Sequence, residues 1–596
     1  MKILSLLLLV AILATSFDIS KAVDPPASYC EGLKYALMFY KYNRAGKLPD
    51  NDVPWRGDSV LIDGTLQGGY FDAGDHVKFA LPMAYSMTML GWSFIEYEKN
   101  VAACGVTDLF LQDIKYGTDW LIAAHISPNQ FAAQVGQGGT DHGWWGPPEK
   151  LNMVRPVYYL SPGAPGTEVA MEAAAALAAA SIVFKTRDPA YSALCLSHAR
   201  QLHSFGDTYR GKYSDSVPDA QVFYNSWSGY KDDIVWGTLW MYKATGDAAY
   251  LTKAKADYTS FGIASMAQGN SHDWDLKAPG ATILMAKITK DPNHIRDAES
   301  CLNYWLPGGG VTYTPDGLAW IRQWGPARYA ATSAFLAAVY GGDKYNQFSK
   351  KQIDYILGHN PKSQSFVVGL GPNAPVNPHH RAAHQSSTND INNPRTNTYL
   401  LKGALVGGPG NDDSYVDDRS DYIKNEVACD YNAGFVGALA ALAGSSPPAE
   451  TSKPTAQPTA QPTEKPTTQP TAQPTTKPTT QPTTQPTTKP TSTPTNPTTT
   501  GCSVAFHQRV LNQFQSGSET FSVVDTIVTN DGSAKVKSLV FEISQPVESI
   551  WGVSTVGKKY SLPSYLKEVN VGETFSFGLI VKGTVPPGII NKVLKC

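Results

Sequence analysis

Two acids three residues apart, Asp72 and Asp75, stand in the glycine-punctuated run Gly68-Gly69-Tyr70-Phe71-Asp72-Ala73-Gly74-Asp75-His76-Val77-Lys78-Phe79. Carboxylates at this spacing, with glycines around them, can both point into one cleft and hold one water between them. Calcium loops and plain turns use the same pattern, so the pair alone decides nothing. A third acid, Glu426, falls in Tyr415-Val416-Asp417-Asp418, then Tyr422, Asn425-Glu426-Val427-Ala428 and Tyr431-Asn432. Lying beside Tyr, Val and Ala at the entry to an apolar helix, it should be partly desolvated. Desolvation raises a carboxyl toward the range where it can donate a proton. The run Pro378-His379-His380-Arg381 adds groups able to donate hydrogen bonds to hydroxyls. Acid–base hydrolysis of a polar substrate is the chemistry these types and spacings allow.

Elements must bring these distant residues together. From about 24 to 446, Ala and Leu recur at helical spacing over Glu168–Phe184, Ser192–Ser204, Ile234–Ala244, Ala281–Ile288, Thr332–Tyr340 and Asn432–Leu442. Gly206, Gly246, Gly341 and Gly444 are placed to cap such helices. Many antiparallel helices with long Gly/Pro/Asn/Trp loops predict a helical barrel or toroid carrying its site on those loops. From Pro454 to Pro494 a proline falls at every fourth position, which predicts an extended linker over 447–500. The last stretch, 501–596, changes to period two. Residues 537–543, 575–581 and much of 521–529 place apolar side chains on odd positions, predicting an all-β sandwich.

The chain has 596 residues, 42% of them hydrophobic and 11% aromatic, enough for two or three folded units. With 49 basic and 51 acidic residues the net charge is −2, which argues against a nucleic-acid partner. Thirty tyrosines and thirteen tryptophans with only 17% charged residues suit neutral, flat-faced ligands such as sugars. Lys2 and the apolar run from Leu4 to Ala14 predict a signal peptide over 1–22 and export. Beyond it, no run is expected to span a membrane. Of seven cysteines, Cys502 and Cys596 bracket the tail and could staple its ends, and at least one cysteine must stay unpaired.

Taken together, the three clusters resemble glycoside hydrolase family 9, the endoglucanase-type cellulases, through most of 24–446. The resemblance implies an (α/α)6 barrel that hydrolyses internal β-1,4-glucosidic bonds of cellulose with inversion, secreted to the extracellular space and acting as a monomer. It makes Asp75 the base that activates water, Asp72 a second carboxylate orienting that water, and Glu426 the general acid, with His379, Arg381 and Asp417 in support. Inversion needs one ionised and one protonated carboxyl, about 6.5–9.5 Å apart. The loops 141–148, 223–227 and 324–329 resemble those lining the family's glucan cleft, where rings stack on pyranose C–H faces. His142, Tyr224, Trp227, Trp324, Arg328 and Tyr431 are the substrate-binding candidates. The run Ser228-Gly229-Tyr230-Lys231-Asp232-Asp233 resembles the family's calcium loop, with Asp233 where Glu is usual and Asp275 as a further ligand. Asp232 as a simple helix cap is the alternative, and no organic cofactor is expected. The tail resembles a family 49 carbohydrate-binding module, with Trp551, Tyr560 and Tyr565 as its platform. An exo-acting or mixed-linkage β-glucanase of the same fold, or a non-catalytic cellulose-binding wall protein, are the competing readings.

Overall fold

The computed structural model describes residues 28–48, 53–444, 501–516, 519–551, 553–556, 559–562 and 568–596. The expected signal peptide and the Thr/Pro linker lie outside the described residues. The chain divides into two compact units, Met1–Gln457 and Pro458–Cys596.

Among the described residues of the first unit, twelve helices have twelve residues or more: α1 Tyr29–Tyr42, α2 Ala80–Ala103, α3 Thr107–Ala124, α4 Thr167–Phe184, α5 Pro189–Thr208, α6 Lys231–Thr245, α7 Ala248–Ser260, α8 Ala278–Thr289, α9 Pro292–Trp305, α10 Pro326–Tyr340, α11 Asp343–Ile356 and α12 Cys429–Ala443. They fall into two classes. The even-numbered helices are apolar almost all round; in α4 every residue but Ile182 is buried. By length and composition α4 could cross a membrane, yet here it is a core helix. The odd-numbered helices α3 to α11 bury narrower sets. In α9 these are Ala298, Cys301, Leu302 and Trp305, the spacing of one helical face.

This difference sets the architecture. Each even helix packs on the next, α2 on α4, α4 on α6, α6 on α8, α8 on α10 and α10 on α12, and α12 returns to α2. Each odd helix covers an even one, with α1 on α12, α3 on α2, α5 on α4, α7 on α6, α9 on α8 and α11 on α10. Close approach needs small residues. A Cβ on Gly434 of α12 would lie 2.2 Å from Thr332 Oγ1 of α10. Gly246 and Gly341 cap α6 and α10 with φ of 71° and 84°, as expected. Gly206 instead lies inside α5, and Gly444 ends α12 in ordinary helical geometry. The expected helices were those carried by Ala/Leu runs; α1, α2, α3, α7, α9 and α11 add to them.

Strands β1 Lys78–Phe79, β2 His125–Ser127, β3 Gln130–Val135 and β4 Val157–Leu160 form a small antiparallel sheet beside the Asp72–Asp75 loop. Strands β5 Thr312–Tyr313 and β6 Ala319–Trp320 pair as a hairpin before α10. Most loops carrying the expected chemistry run into the N-terminal ends of even helices: Asp72 and Asp75 before α2, Tyr224 and Trp227 before α6, Trp324 before α10, Glu426 before α12; the 378–381 loop, which enters none of them, is bridged to Glu426 at His379. The site therefore gathers at one end of the helical array. A disulfide joins Cys30 in α1 to Cys104 after α2, while Cys195, Cys301 and Cys429 are free and buried.

The second unit holds β7 Ala505–Ser516, β8 Glu519–Thr529, β9 Ser538–Ile543, β10 Val547–Trp551, β11 Ser554–Val556, β12 Lys559–Ser561, β13 Thr574–Lys582 and β14 Ile589–Lys595. Two antiparallel sheets, ordered β10-β13-β8-β7 and β11-β12-β9-β14, share one apolar core. Leu539 and Phe541 of β9 and Phe577, Leu579 and Val581 of β13 point into it, on the expected odd positions. In β8 the phase is the opposite. Val524 and Val528 are buried while Ile527 is 40% exposed, because the register pairing β8 with β13 sets which face turns inward. Cys502 and Cys596 form the expected staple.

Candidate active site

Main-chain groups hold the Asp72–Asp75 loop. Asp75 Oδ1 accepts from Ala73 N at 3.2 Å and Oδ2 from Val77 N at 3.1 Å. Asp72 Oδ2 accepts from the Tyr224 hydroxyl at 2.5 Å, and its Oδ1 is buried without a hydrogen-bond partner. Burial, and then the neighbouring Asp75, push the Asp72 carboxyl well above the usual range. Gly74 joins this loop to the 378–381 loop. Arg381 N donates to Gly74 O at 3.0 Å, and a Cβ on Gly74 would stand 2.1 Å from His379 O. Only glycine permits that approach.

Side chains hold Glu426. Its backbone forms a parallel bridge with His379, and Gly407 N donates to its carbonyl at 2.9 Å. The half-buried carboxyl accepts twice on one oxygen, from Trp324 Nε1 and from Tyr431 OH, each at 2.7 Å on Oε2. Burial raises its proton affinity, opposed by those two donors and by Arg328.

The structure thus brings Asp72, Asp75, His379, Arg381 and Glu426 together, but it changes what several expected residues do. His379 Nδ1 faces the Arg419 carbonyl at 2.8 Å, so it carries the hydrogen, and Nε2 is left as an acceptor. Burial and Arg381 lower this imidazole to about 3, so it stays neutral. His142 also turns Nδ1 to a carbonyl, Gly138 O at 2.8 Å, and its ring stacks on Phe223. Arg381, 3% exposed, spends its donors on the Trp144 and His142 carbonyls and lies 4.5 Å over the Trp145 ring. Tyr224 and Tyr431 were expected as sugar platforms. Both are buried, and their hydroxyls serve Asp72 and Glu426. Arg328 pairs with Asp430 at 2.7 Å. Asp417, expected near the chemistry, accepts from Val376 N and Asn377 N at 2.9 and 3.0 Å, which braces the turn leading to His379. Open faces remain on Trp227, 73% exposed, and Trp324, 46% exposed.

Two buried acids escaped the sequence reading. Asp141 lies with Asp75 and His142 in a group whose ligand atoms are all within 4.8 Å. It accepts from His76 N at 2.9 Å, and burial beside Asp75 pushes it up to about 7. Its position between two glycine-rich segments, directly before His142, was the available signal. Asp430, in the first turn of α12, was hidden because its partner Arg328 is 102 residues away in sequence.

A second acid-rich pocket lies at the start of α6. Ser228 Oγ donates to Asp275 O at 2.6 Å, Ser228 N to the Asp275 carboxylate at 3.1 Å, and Lys277 N to Asp232 Oδ2 at 2.5 Å. Asp232 Oδ1, both Asp233 oxygens and Glu168 Oε2 are buried without hydrogen-bond partners. One lysine, Lys277, faces Asp233 at 3.4 Å and Glu172 at 3.7 Å. Carboxylate oxygens in excess of the nearby cation suit a hard metal ion, with Asp233 committed first to the lysine. Gly229, with φ of 84°, turns the loop between Ser228 and α6.

In the second unit, Tyr560 packs on Phe541 at the edge of the core and is half-buried. The Trp551 side chain and all of Tyr565 lie outside the described residues.

Comparison with known proteins follows the same two units. The sequence model of glycosyl hydrolase family 9 matches residues 29–439, and that of the carbohydrate binding domain CBM49 matches 504–582. An endoglucanase of Dictyostelium discoideum is 64% identical over 470 residues, covering 76% of this chain and 66% of its own length. Endoglucanase 5 of Arabidopsis thaliana is 33% identical over 623 residues, covering 93% of this chain and 94% of its own length. The structure of an endoglucanase from the termite Nasutitermes takasagoensis aligns with a TM-score of 0.67 at 45% identity, covering 70% of this chain and 99% of the termite chain.

Proposed function

This chain belongs to glycosyl hydrolase family 9, and from that premise we propose that it is a secreted, monomeric endo-β-1,4-glucanase that cleaves internal bonds of cellulose with inversion. The ring of even helices inside a layer of odd ones is read as an (α/α)6 barrel, and the two facing sheets as a β-sandwich that binds the insoluble glucan.

One observation carries the assignment of roles. Glu426 takes both of its hydrogen bonds on Oε2, from Trp324 and Tyr431, while its loop is bridged to His379, whose carbonyl abuts Gly74 between Asp72 and Asp75. The proton to be delivered then resides on Oε1. It passes to the glycosidic oxygen as the C1–O bond breaks, and the two donors on Oε2 stabilise the carboxylate left behind. A water held between Asp75 and the unpartnered Oδ1 of Asp72 loses its proton to Asp75 as its oxygen bonds to C1 from the opposite face. The Tyr224 hydroxyl fixes Asp72 for that task. His379 and His142 each offer Nε2 to accept from a sugar hydroxyl. Arg381 positions the Trp144-Trp145 loop, Asp417 the His379 loop, and Trp227 and Trp324 present rings to pyranose faces.

Ser228, Gly229, Asp232, Asp233 and Asp275 would hold a calcium ion, which would neutralise the buried acids before α6 and α8. The loop so fixed carries Trp227 beside the cleft, with no part in proton transfer.

Endo action is tested on soluble carboxymethyl cellulose by following viscosity against new reducing ends. Fast viscosity loss per bond cut is expected. Slow loss would mean exo action, and no new ends would mean a binding protein.

A further inference from the structure

The Asp430 carboxylate is buried at the site and has no part in the proton transfers above. It stands in the first turn of α12, 2% exposed, and its Oδ2 accepts from Arg328 NH1 at 2.7 Å. Arg328, in the first turn of α10, is held through both terminal nitrogens, while its Nε has no hydrogen-bond partner. Its NH2 donates to the Tyr329 hydroxyl at 2.7 Å, and the guanidinium lies 4.6 Å from the ring centres of both Tyr329 and Tyr431. Tyr431 is the next residue after Asp430, and its hydroxyl donates to Glu426 Oε2. A continuous chain therefore runs from Asp430 through Arg328 and the Tyr431 ring to the carboxyl group.

We propose that Asp430 is a positioning residue for the proton donor: paired with Arg328, it holds the guanidinium against the Tyr431 ring, fixes the Tyr431 hydroxyl on Glu426 and offsets the guanidinium charge beside it. This rests on the reading of Glu426 as the general acid. The signs agree with the geometry, since Arg328 lowers the proton affinity of Glu426 and Asp430 raises it. Other groups face the carboxyl too. Asp72 comes from the loop before α2 with Tyr224 bonded to it, and Asp75 lies beyond. Arg381 and neutral His379 come from the 378–381 loop, and Trp324 from the loop before α10. Asp273, before α8, acts on Asp430 in turn. None of these contacts the Asp430–Arg328 pair by a hydrogen bond that the substitutions below would remove.

The alkaline limb of kcat/KM on a soluble glucan reports loss of the donor's proton in the free enzyme. In Asp430→Asn the Arg328 charge is left uncancelled, the Glu426 carboxylate is favoured, and the limb should move to lower pH by roughly one unit. In Arg328→Gln the remaining Asp430 charge should move it to higher pH. Asp430→Glu keeps the charge but shifts the fork, so it should lower kcat while leaving the limb in place. Opposite displacements in the first two variants are the signature, because a residue that merely supports the fold cannot move a limb both ways. If Asp430→Asn does not fold, the Arg328→Gln displacement and the fixed limb of Asp430→Glu carry the test. A limb that stays at its wild-type position in Asp430→Asn and Arg328→Gln alike, or that moves in Asp430→Glu, would overturn the proposal. Near-normal hydrolysis by Glu426→Gln would instead sink the general-acid reading beneath it.

Discussion

The two sides of the candidate site, around Asp75 and around Glu426, are built on different principles. On the Asp75 side the carboxylate is gripped by peptide N–H groups, and the loop is locked by a glycine pressed against a carbonyl. On the Glu426 side the grip comes from side chains, Trp324 and Tyr431 directly and Arg328 with Asp430 behind them. Main-chain donors are untouched by any substitution except proline. Side-chain donors can be exchanged one atom at a time, so the proton affinity of Glu426 is adjustable while the placement of Asp75 is fixed, which suits the roles proposed for them. A base needs position, and an acid needs a proton affinity matched to its working range.

The largest effect should come from removing either reacting group. Glu426→Gln and Asp75→Asn should each cut glucan turnover by at least about a hundredfold. The two sides separate on a glucosyl fluoride, whose leaving group needs little protonation. Glu426→Gln should be rescued there and Asp75→Asn should not. Equal losses on both substrates would erase the distinction between acid and base.

A smaller effect sharpens the Glu426 side. Tyr431→Phe deletes one donor to Oε2 that favours the ionised form, so the proton affinity of Glu426 rises and the alkaline limb extends to higher pH. The carboxylate formed on proton delivery is also less stabilised, and kcat should fall by roughly tenfold, the cost of about one hydrogen bond to a charged group. A pH–rate profile for the variant gives both numbers, and a limb displaced to lower pH would contradict the arrangement.

The smallest effect concerns the pocket before α6, which touches neither side. Chelator should lower the melting temperature of the intact protein by a few degrees, since an ion bound only by the folded state adds stability by mass action. Asp232→Ala should abolish that sensitivity with little change in turnover on soluble glucan. Elemental analysis finding no metal, with chelator indifferent, would leave Asp232 as the acceptor for Lys277 N and no more.

Residue type and spacing carried the reading as far as local chemistry reaches. Ala/Leu runs announced α4, α5, α6, α8, α10 and α12, whereas α7, which buries only Ala254 and Tyr258 among charged residues, offered almost no stripe to read. The acid clusters stood out because Gly, Asp and Glu concentrated in them. What stayed hidden was the use of each side chain's far end. Tyr431 and Tyr224 look like sugar platforms by type, but a tyrosine has a ring and a hydroxyl, and only tertiary contact decides which is employed. Asp141 and Asp430 matter through burial and through partners distant in sequence. The phase of β8 was misread because alternation shows that a strand has two faces without saying which one meets the core.

The bond between Cys502 and Cys596 has a mechanical consequence. Cys502 stands just before β7, an edge strand of its sheet, and Cys596 just after β14, an edge strand of the other. A pull on residue 501 would, without this bond, unzip β7 from β8 one hydrogen-bonded pair at a time. With the two ends welded together, the same tension is divided between β7 and β14. Both sheets must then yield at once, and the unit resists force as a whole instead of unravelling from one edge.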